Sequence, residues 1–304
     1  MVRFGTGGWR AIIGEEFTRE NIRKLSLALC LKMEDEGTSG EGIVIGYDRR
    51  FLSKEAVIWA SQVFGSRGIR VMFVNRSSPT PLIMFYVMKH GLSYGMMVTA
   101  SHNPAIYNGI KVFTRGGRDA DEAQTADIER YLAKAEALYE PQDEEAGQMP
   151  PPSYLELVKK GMVTEINPLN EYLDNILSVI NVDAIRERDL RIAIDPMYGV
   201  SLTALSTILS VARCTIETIN AQHDTLFGGK MPAPTEGTLR SLQNYVLDRY
   251  CDIGIATDGD ADRLGVIDDR GQYLHANDIL VMLYYYLLKY KGWRGPAVGG
   301  AGGG

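Results

Sequence analysis

The chain has 304 residues, 45% hydrophobic and 23% charged. That balance belongs to an ordinary folded protein and excludes a disordered chain, a collagen and a disulfide miniprotein. Lys and Arg number 32 against 38 Asp and Glu, a net charge of −6, and a mildly acidic chain without a basic run is a poor nucleic-acid binder. The longest apolar run, 279–288, has ten residues, about half a membrane span, and the opening MVRFGTGGWR lacks the apolar stretch of a secretory signal. Neither a membrane nor a nucleic acid is expected as partner. The three cysteines, Cys30, Cys214 and Cys251, are odd in number and widely spaced with no C-x-x-C, which disfavours a disulfide framework or zinc ribbon and fits a reduced, cytoplasmic setting.

The length predicts two domains, and the elements agree. Thr18 reads as an N-cap, followed by Ile22, Leu25, Leu29 and Met33 at helical spacing. Residues 42–48 (GIVIGYD) read as a buried strand, 53–68 as a helix and 69–74 as a strand. A helix over 81–90 starts at Pro81 and stops at Gly91; strands follow at 94–99 and 109–113, then a charged helix over 121–138. This alternation predicts a layered α/β domain over 1–140 with a mainly parallel sheet. Residues 139–153 (YEPQDEEAGQMPPPS) lose periodicity and read as a linker or a surface excursion between domains.

The pattern then restarts. One or two helices are expected over 154–180, strands at 190–195 and 215–219, and helices at 199–212 and 236–249. Strands at 252–257 and 264–268 flank a short acidic loop and form an antiparallel hairpin, and a Leu- and Tyr-rich helix covers 277–291. The second domain is thus expected over 154–292. Residues 295–298 look like the start of another strand, yet the sequence runs into GGAGGG, which cannot support one; 293–304 read as the cut edge of a further domain.

Three clusters carry chemistry. TASHNPAIYNGIK (99–111) follows a strand, at the end of a sheet where open α/β folds bind ligands. Its turn at Asn103-Pro104 would expose Ser101, with His102 adjacent and Lys111 returning on the next strand. A Ser-His-Asp hydrolase is disfavoured, because G-x-S-x-G is absent and adjacent extended residues point to opposite faces. TDGDADR (257–263) alternates Asp258, Asp260 and Asp262, which an extended segment would place on one side. Three such charges need a cation between them, and oxygen donors without His or Cys point to a hard ion such as Mg²⁺, with Zn²⁺ as a substitute. An EF-hand is rejected, since its Gly and Glu positions are Arg263 and Asp269. RFGTGGWRAIIG (3–14) surrounds Thr6 and Arg10 with glycines, a setting for close approach of an anion that Arg10 could bond in pairs. Arg49 and Arg50, after the strand ending at Asp48, read as structural ion-pairing residues.

Together the clusters resemble the α-D-phosphohexomutase family, which includes phosphoglucomutases and phosphomannomutases. TASHNP with YNGIK is similar to its phosphoserine loop, DGDADR to its metal loop and GTGGWR to its N-terminal loop. The family has four domains, with a sugar-reading G-E-E-S-G-G-type loop in the third and an R-x-S-G-T phosphate loop in the fourth. Neither motif occurs here, so the chain resembles the first two domains. The resemblance implies that phosphorylated Ser101 passes its phosphoryl group to a hexose phosphate, giving a bisphosphate that turns around and returns the other phosphate. It further implies one Mg²⁺ held by Asp258, Asp260, Asp262 and a phosphate oxygen on Ser101, and a glucose 1,6-bisphosphate-type activator that charges Ser101. Lys111 would handle the hydroxyl proton, and Arg10, Arg263, Thr6 and Asn103 would meet phosphate, with His102 in support. The C-terminal domains of the native protein are the implied partners, and this portion alone is expected to turn over slowly or not at all. Two alternatives stand beside it: a non-catalytic Mg²⁺-dependent sugar-phosphate binding module, and a haloacid-dehalogenase-type phosphatase with Asp258 as nucleophile and Asp260 as acid/base. The choice among glucose, mannose and glucosamine stays open.

Overall fold

A computed structural model of the chain describes residues 8–139 and 152–295. Thr6, most of the linker, and the expected strand start beyond Gly295 with its glycine tail lie outside the described residues. The first unit contains β1 (Trp9–Ile12), α1 (Arg19–Asp35), β2 (Ile43–Tyr47), α2 (Ser53–Ser66), β3 (Val71–Val74), α3 (Thr80–Lys89), β4 (Tyr94–Val98), β5 (Tyr107–Thr114), β6 (Arg118–Asp119), α4 (Glu122–Leu138), α5 (Tyr154–Lys159) and β7 (Val163–Ile166). Its sheet runs β1-β5-β4-β2-β3-β7, with β6 paired to β5. The strands β4, β2, β3 and β7 are parallel, whereas β1, β5 and β6 join by antiparallel ladders.

Every residue of β2 and β4 is buried, as parallel strands covered on both faces must be. Helices α1, α2 and α4 cover one face; α3, helped by Leu169 and Tyr172, covers the other. Thr18 caps α1, accepting the Asn21 N–H at 3.3 Å, and Ile22, Leu25, Leu29 and Met33 are fully buried. Each such side chain contributes about 1.5–3 kcal/mol on burial. Asp121 closes a capping box at the start of α4.

Two parts of the first unit depart from the sequence reading. Residues 9–12 form an edge strand, pairing Trp9 with Ile110, and Trp9 is buried against Phe17 with ring centroids 5.7 Å apart. Crowding by glycines hides this strand in the sequence. Residues 154–166 belong to the first sheet rather than to the second domain: β7 pairs parallel with β3, and Leu157 of α5 is buried beside Gly65 of α2. The pairing of β7 carries the first sheet past 140 to Ile166; with only one of its four residues (VTEI) buried, this strand has too little periodicity to be read from the sequence.

The second unit contains α6 (Leu169–Val179), α7 (Val182–Arg186), β8 (Arg191–Asp195), α8 (Leu202–Val211), β9 (Thr215–Thr218), α9 (Arg240–Arg249), β10 (Ile253–Thr257), β11 (Leu264–Asp268), β12 (Tyr273–Leu274) and α10 (Ala276–Lys289). Its sheet is β12-β11-β10-β8-β9. Strand β8 lies parallel to β9 and β10, and β10–β11 is the expected antiparallel hairpin. Helix α9 begins four residues later than its periodicity suggests, because Thr235 and Thr238 bond each other in a turn. The last helix, α10, contributes no buried residue; Leu280 and Val281 are 60% and 68% exposed. It forms as expected but does not join the second core. No helix among the described residues is long and apolar enough to cross a membrane, and all three cysteines are free.

Candidate active site where the two units meet

The loop between β4 and β5 is built from inside the first unit. Thr99 Oγ1 donates to Asp48 Oδ2 at 2.7 Å and accepts the Ser101 N–H at 2.8 Å. Ser101 is thereby held at φ +52°, a left-handed conformation that costs a non-glycine residue about 1–3 kcal/mol and persists only where its surroundings enforce it. Arg50 does much of that. Its guanidinium donates to the carbonyl oxygens of Ser101 (2.6 Å), Asn103 (2.7 Å), Pro104 (2.9 Å) and Tyr107 (3.0 Å). It also pairs with Asp48 at 3.3 Å, both side chains being fully buried. Asp48 accepts from the Arg50 N–H and the Ser53 hydroxyl as well. Burial pushes the Asp48 carboxyl up despite Arg50, and pushes Arg50 down despite Asp48.

The acidic loop between β10 and β11 closes over this turn. Asp258 Oδ1 accepts the N–H groups of Asp262 (3.1 Å) and Arg263 (3.0 Å), and Ala261 turns the chain at φ +60°. Asp258 Oδ2 accepts the Ser101 hydroxyl at 2.7 Å. Asp260 Oδ2 accepts the Thr80 hydroxyl (2.7 Å) and Lys111 Nζ (2.8 Å), while Lys111 also reaches Asp262 Oδ2 at 2.5 Å. The loops touch at Gly259, where a Cβ would fall 2.9 Å from the Ser101 carbonyl oxygen, so only glycine fits. Phe227, from the second unit, sits against that spot and places its ring under Arg50, 4.8 Å from the guanidinium carbon.

Charge follows this packing. Burial, then Asp260 and Asp262, push the Asp258 carboxyl up to about 8. Burial acts on Asp260 in the same sense, but Lys111 and Thr80 outweigh it and hold that carboxyl below its usual range. Burial opposes the charge on Lys111, yet Asp260 and Asp262 prevail and raise its pKa, so the ammonium form is favoured. Burial and Arg263 lower Arg10, against the pull of the acidic loop. Burial, Arg263 and Arg10 likewise lower His102.

Ser101, Lys111, Asp258, Asp260 and Asp262 are thus brought together by direct bonds, and Arg10, Arg263 and His102 flank them. Three expectations are corrected. Ser101 is fully buried, not exposed, because the acidic loop of the other unit lies on it. Ser101 and His102 do not diverge: the left-handed turn brings His102 Nδ1 to 3.5 Å from Ser101 Oγ. The three carboxylates converge, with one oxygen of each within 4.8 Å of the others, through a turn rather than through strand alternation. Asn103 enters through its backbone carbonyl, and its own side-chain oxygen is buried without a partner. Thr6 lies outside the described residues. Thr80, Asp48, Thr99 and Phe227 belong to the site although no motif singles them out, and Arg50 does more than pair with a charge, since it holds four loop carbonyls. The D-R-R after a buried strand and the S-P-T-P after the next were the available signals, both at strand carboxyl ends.

Three all-oxygen carboxylates with this convergence suit a hard divalent cation. The observation that tests the fit is Asp260 Oδ1, buried with no hydrogen-bond partner while Oδ2 carries two. A buried carboxylate oxygen left bare is costly unless a cation meets it.

Comparison with known proteins agrees with this geometry. Residues 1–138 match the model of phosphoglucomutase/phosphomannomutase alpha/beta/alpha domain I, and residues 170–271 match that of domain II. The chain is 31% identical over 283 residues to a probable phosphoglucosamine mutase of Methanothermobacter thermautotrophicus, covering 92% of this chain and 57% of that protein. It is 29% identical to a phosphoglucomutase/phosphomannomutase of Thermococcus kodakarensis, covering 95% and 60%. The crystal structure of a putative phosphomannomutase from Thermus thermophilus superposes with a TM-score of 0.82 at 26% identity, over 97% of this chain and 63% of that one. The chain spans about three-fifths of the length of these relatives. With both domain models matched in order and the two loops meeting as described, the chain belongs to the phosphoglucomutase/phosphomannomutase family of phosphohexomutases and carries its domains I and II.

Proposed function

We propose that this chain is the phosphoryl-carrying part of a phosphohexomutase that interconverts hexose 1-phosphate and hexose 6-phosphate. The observation that carries the reading is the 2.7 Å bond from Ser101 Oγ to Asp258 beside two further carboxylates. In the proposed cycle phosphorylated Ser101 gives its phosphoryl group to the free hydroxyl of a hexose monophosphate: the bond from phosphorus to the sugar oxygen forms as the bond to Ser101 Oγ breaks, and the hydroxyl loses its proton. The bisphosphate so formed turns around and returns its other phosphoryl group to Ser101 Oγ, the sugar oxygen it leaves regaining a proton, which completes the isomerisation and restores the phosphoserine. Phosphoryl transfer needs alignment and charge neutralisation more than covalent side-chain chemistry.

Asp258, Asp260 and Asp262 would hold Mg²⁺, with a phosphate oxygen on Ser101 as a further ligand. The ion, when bound, neutralises charge building up on the transferring group. Lys111 holds the proton exchanged with the sugar hydroxyl. Arg10 and Arg263 are the cations for phosphoryl oxygens, His102 supports the Ser101 turn, and Asn103 belongs to the same phosphate environment; Thr6, outside the described residues, is assigned to phosphate by its motif alone. A glucose 1,6-bisphosphate-type compound would charge Ser101. A bisphosphate has a phosphate at each end, and these residues anchor one. Holding reacting groups in line can supply up to about 7–11 kcal/mol, and a substrate anchored at one end forgoes part of it, so turnover by this chain alone is expected to be slow or absent.

Phosphopeptide mapping after incubation with glucose 1,6-bisphosphate tests the reading. Label on Ser101, abolished in Ser101→Ala with the fold intact, is the expected result. Phosphate recovered on Asp258 would move the protein to an aspartyl-phosphate phosphatase.

A further inference from the structure

Thr80 is the first residue of α3 and is buried, yet both of its polar ends are committed to the other unit. Its N–H donates to the Asp260 carbonyl oxygen at 2.8 Å, and its hydroxyl donates to Asp260 Oδ2 at 2.7 Å. No other residue of α3 is bonded to the acidic loop among the described residues. With Lys111 also on Oδ2, one oxygen of this carboxylate carries two donors. The other, Oδ1, is buried with none. Thr80 is β-branched with a restricted χ1, and its backbone is fixed by the second bond, so its hydroxyl is a rigid donor. Lys111 is a flexible point charge shared with Asp262.

We propose that Thr80 makes Asp260 a one-oxygen ligand and thereby sets the preference of the acidic site for Mg²⁺ over Ca²⁺. This rests on the metal reading above. Mg²⁺ demands near-octahedral geometry at short range and takes single carboxylate oxygens. Ca²⁺ is larger, accepts more ligands and readily takes both oxygens of one carboxylate. With Oδ2 engaged, Asp260 offers only Oδ1, which suits the smaller ion. Released from Thr80, the carboxylate can rotate and offer both oxygens. Thr80 is therefore a positioning residue for Asp260, and its effect lies in ion selectivity as well as affinity.

The test is calorimetric titration of the full chain with Mg²⁺ and, separately, Ca²⁺, in wild type, Thr80→Val, Thr80→Ala and Thr80→Ser, each checked by circular dichroism for the native fold. Losing an outer hydrogen bond to a metal ligand typically costs about 10–100-fold in metal affinity. Thr80→Val and Thr80→Ala should lose about that much for Mg²⁺ and much less for Ca²⁺, and Thr80→Ser, which keeps the hydroxyl but not the branch, should recover most of the lost Mg²⁺ affinity. An unchanged ratio of the two affinities in folded Thr80→Val or Thr80→Ala overturns the proposal while leaving the metal site standing. A wild-type chain that takes up neither ion removes the metal reading itself. Should both variants fail to fold, infrared spectra of the wild-type chain with ¹³C-labelled aspartate decide. A widened splitting of carboxylate stretches on Mg²⁺ addition is expected for one-oxygen ligation, and a narrowed splitting throughout overturns it.

Discussion

The serine loop and the acidic loop meet at Gly259, yet they are held in different ways. The serine loop is tied from within its own unit: Asp48, Arg50 and Thr99 hold four carbonyl oxygens and the Ser101 N–H. The acidic loop makes its turn with its own N–H groups, but the far ends of its carboxylates are held by Ser101, Thr80 and Lys111 of the other unit. One half of the site is preformed, and the other is shaped by docking. Under the proposed function the serine carries a transferable group and must be placed accurately, whereas the loop that would neutralise its charge has to adjust as that charge appears. Stored strain at Ser101 and like charges at the acidic turn are where local rules are broken in favour of function.

The largest expected effect comes from removing the internal tie. Arg50→Met removes the charge partner of Asp48, which keeps only neutral donors, and takes a donor from four loop carbonyls. Breaking a buried ion pair from one side costs about 3–5 kcal/mol, so urea denaturation should show a loss of that order. A loss below about 1 kcal/mol would show that the serine loop does not depend on this tie, and the contrast between the loops would fail.

Phe227→Ala comes next. Phe227 is buried and touches both Arg50 and the Gly259 region. Truncating a buried Phe typically costs about 3–5 kcal/mol, and less where the site collapses. The sharper readout is amide exchange: protection should fall over 257–263 more than over 99–103. Equal loss in both loops would mean that the second unit holds the serine loop as firmly as the first does.

Gly259→Ala is the smallest and most selective change. The added Cβ would stand 2.9 Å from a backbone oxygen, and overpacking of this kind costs about 1–3 kcal/mol. The acidic loop should yield, because the serine loop is fixed from behind. Amide chemical shifts should therefore move across 258–263 while those of 99–101 stay put, and the reverse pattern would invert the assignment of rigid and adaptable halves.

Much of this architecture is legible in the amino-acid sequence. Short apolar strands alternating with periodic helices specify two α/β units, because burying one face of each element leaves few layered solutions. Ser101, Lys111 and the three aspartates are legible as chemistry, since three carboxylates crowded into one short loop repel unless a cation meets them and a polar turn after a strand is where open α/β sheets bind ligands. The chain alone places the elements containing them, but not their contacts. That Ser101 is covered, that His102 lies beside it, and that residues 163–166 complete the first sheet depend on pairings between segments far apart in sequence. Thr80 and Phe227 are ordinary residue types in ordinary contexts, and only the approach of the acidic loop gives them a role. The ten-residue apolar run of α10 is equally plain, and apolarity all round a helix calls for burial. Whether a surface exists to bury it is a property of the tertiary structure, and the described residues provide none: no residue of that helix is buried. Periodicity determines local conformation because it acts through neighbours in sequence; contact between loops is decided by the docking of the two units, which no local pattern encodes.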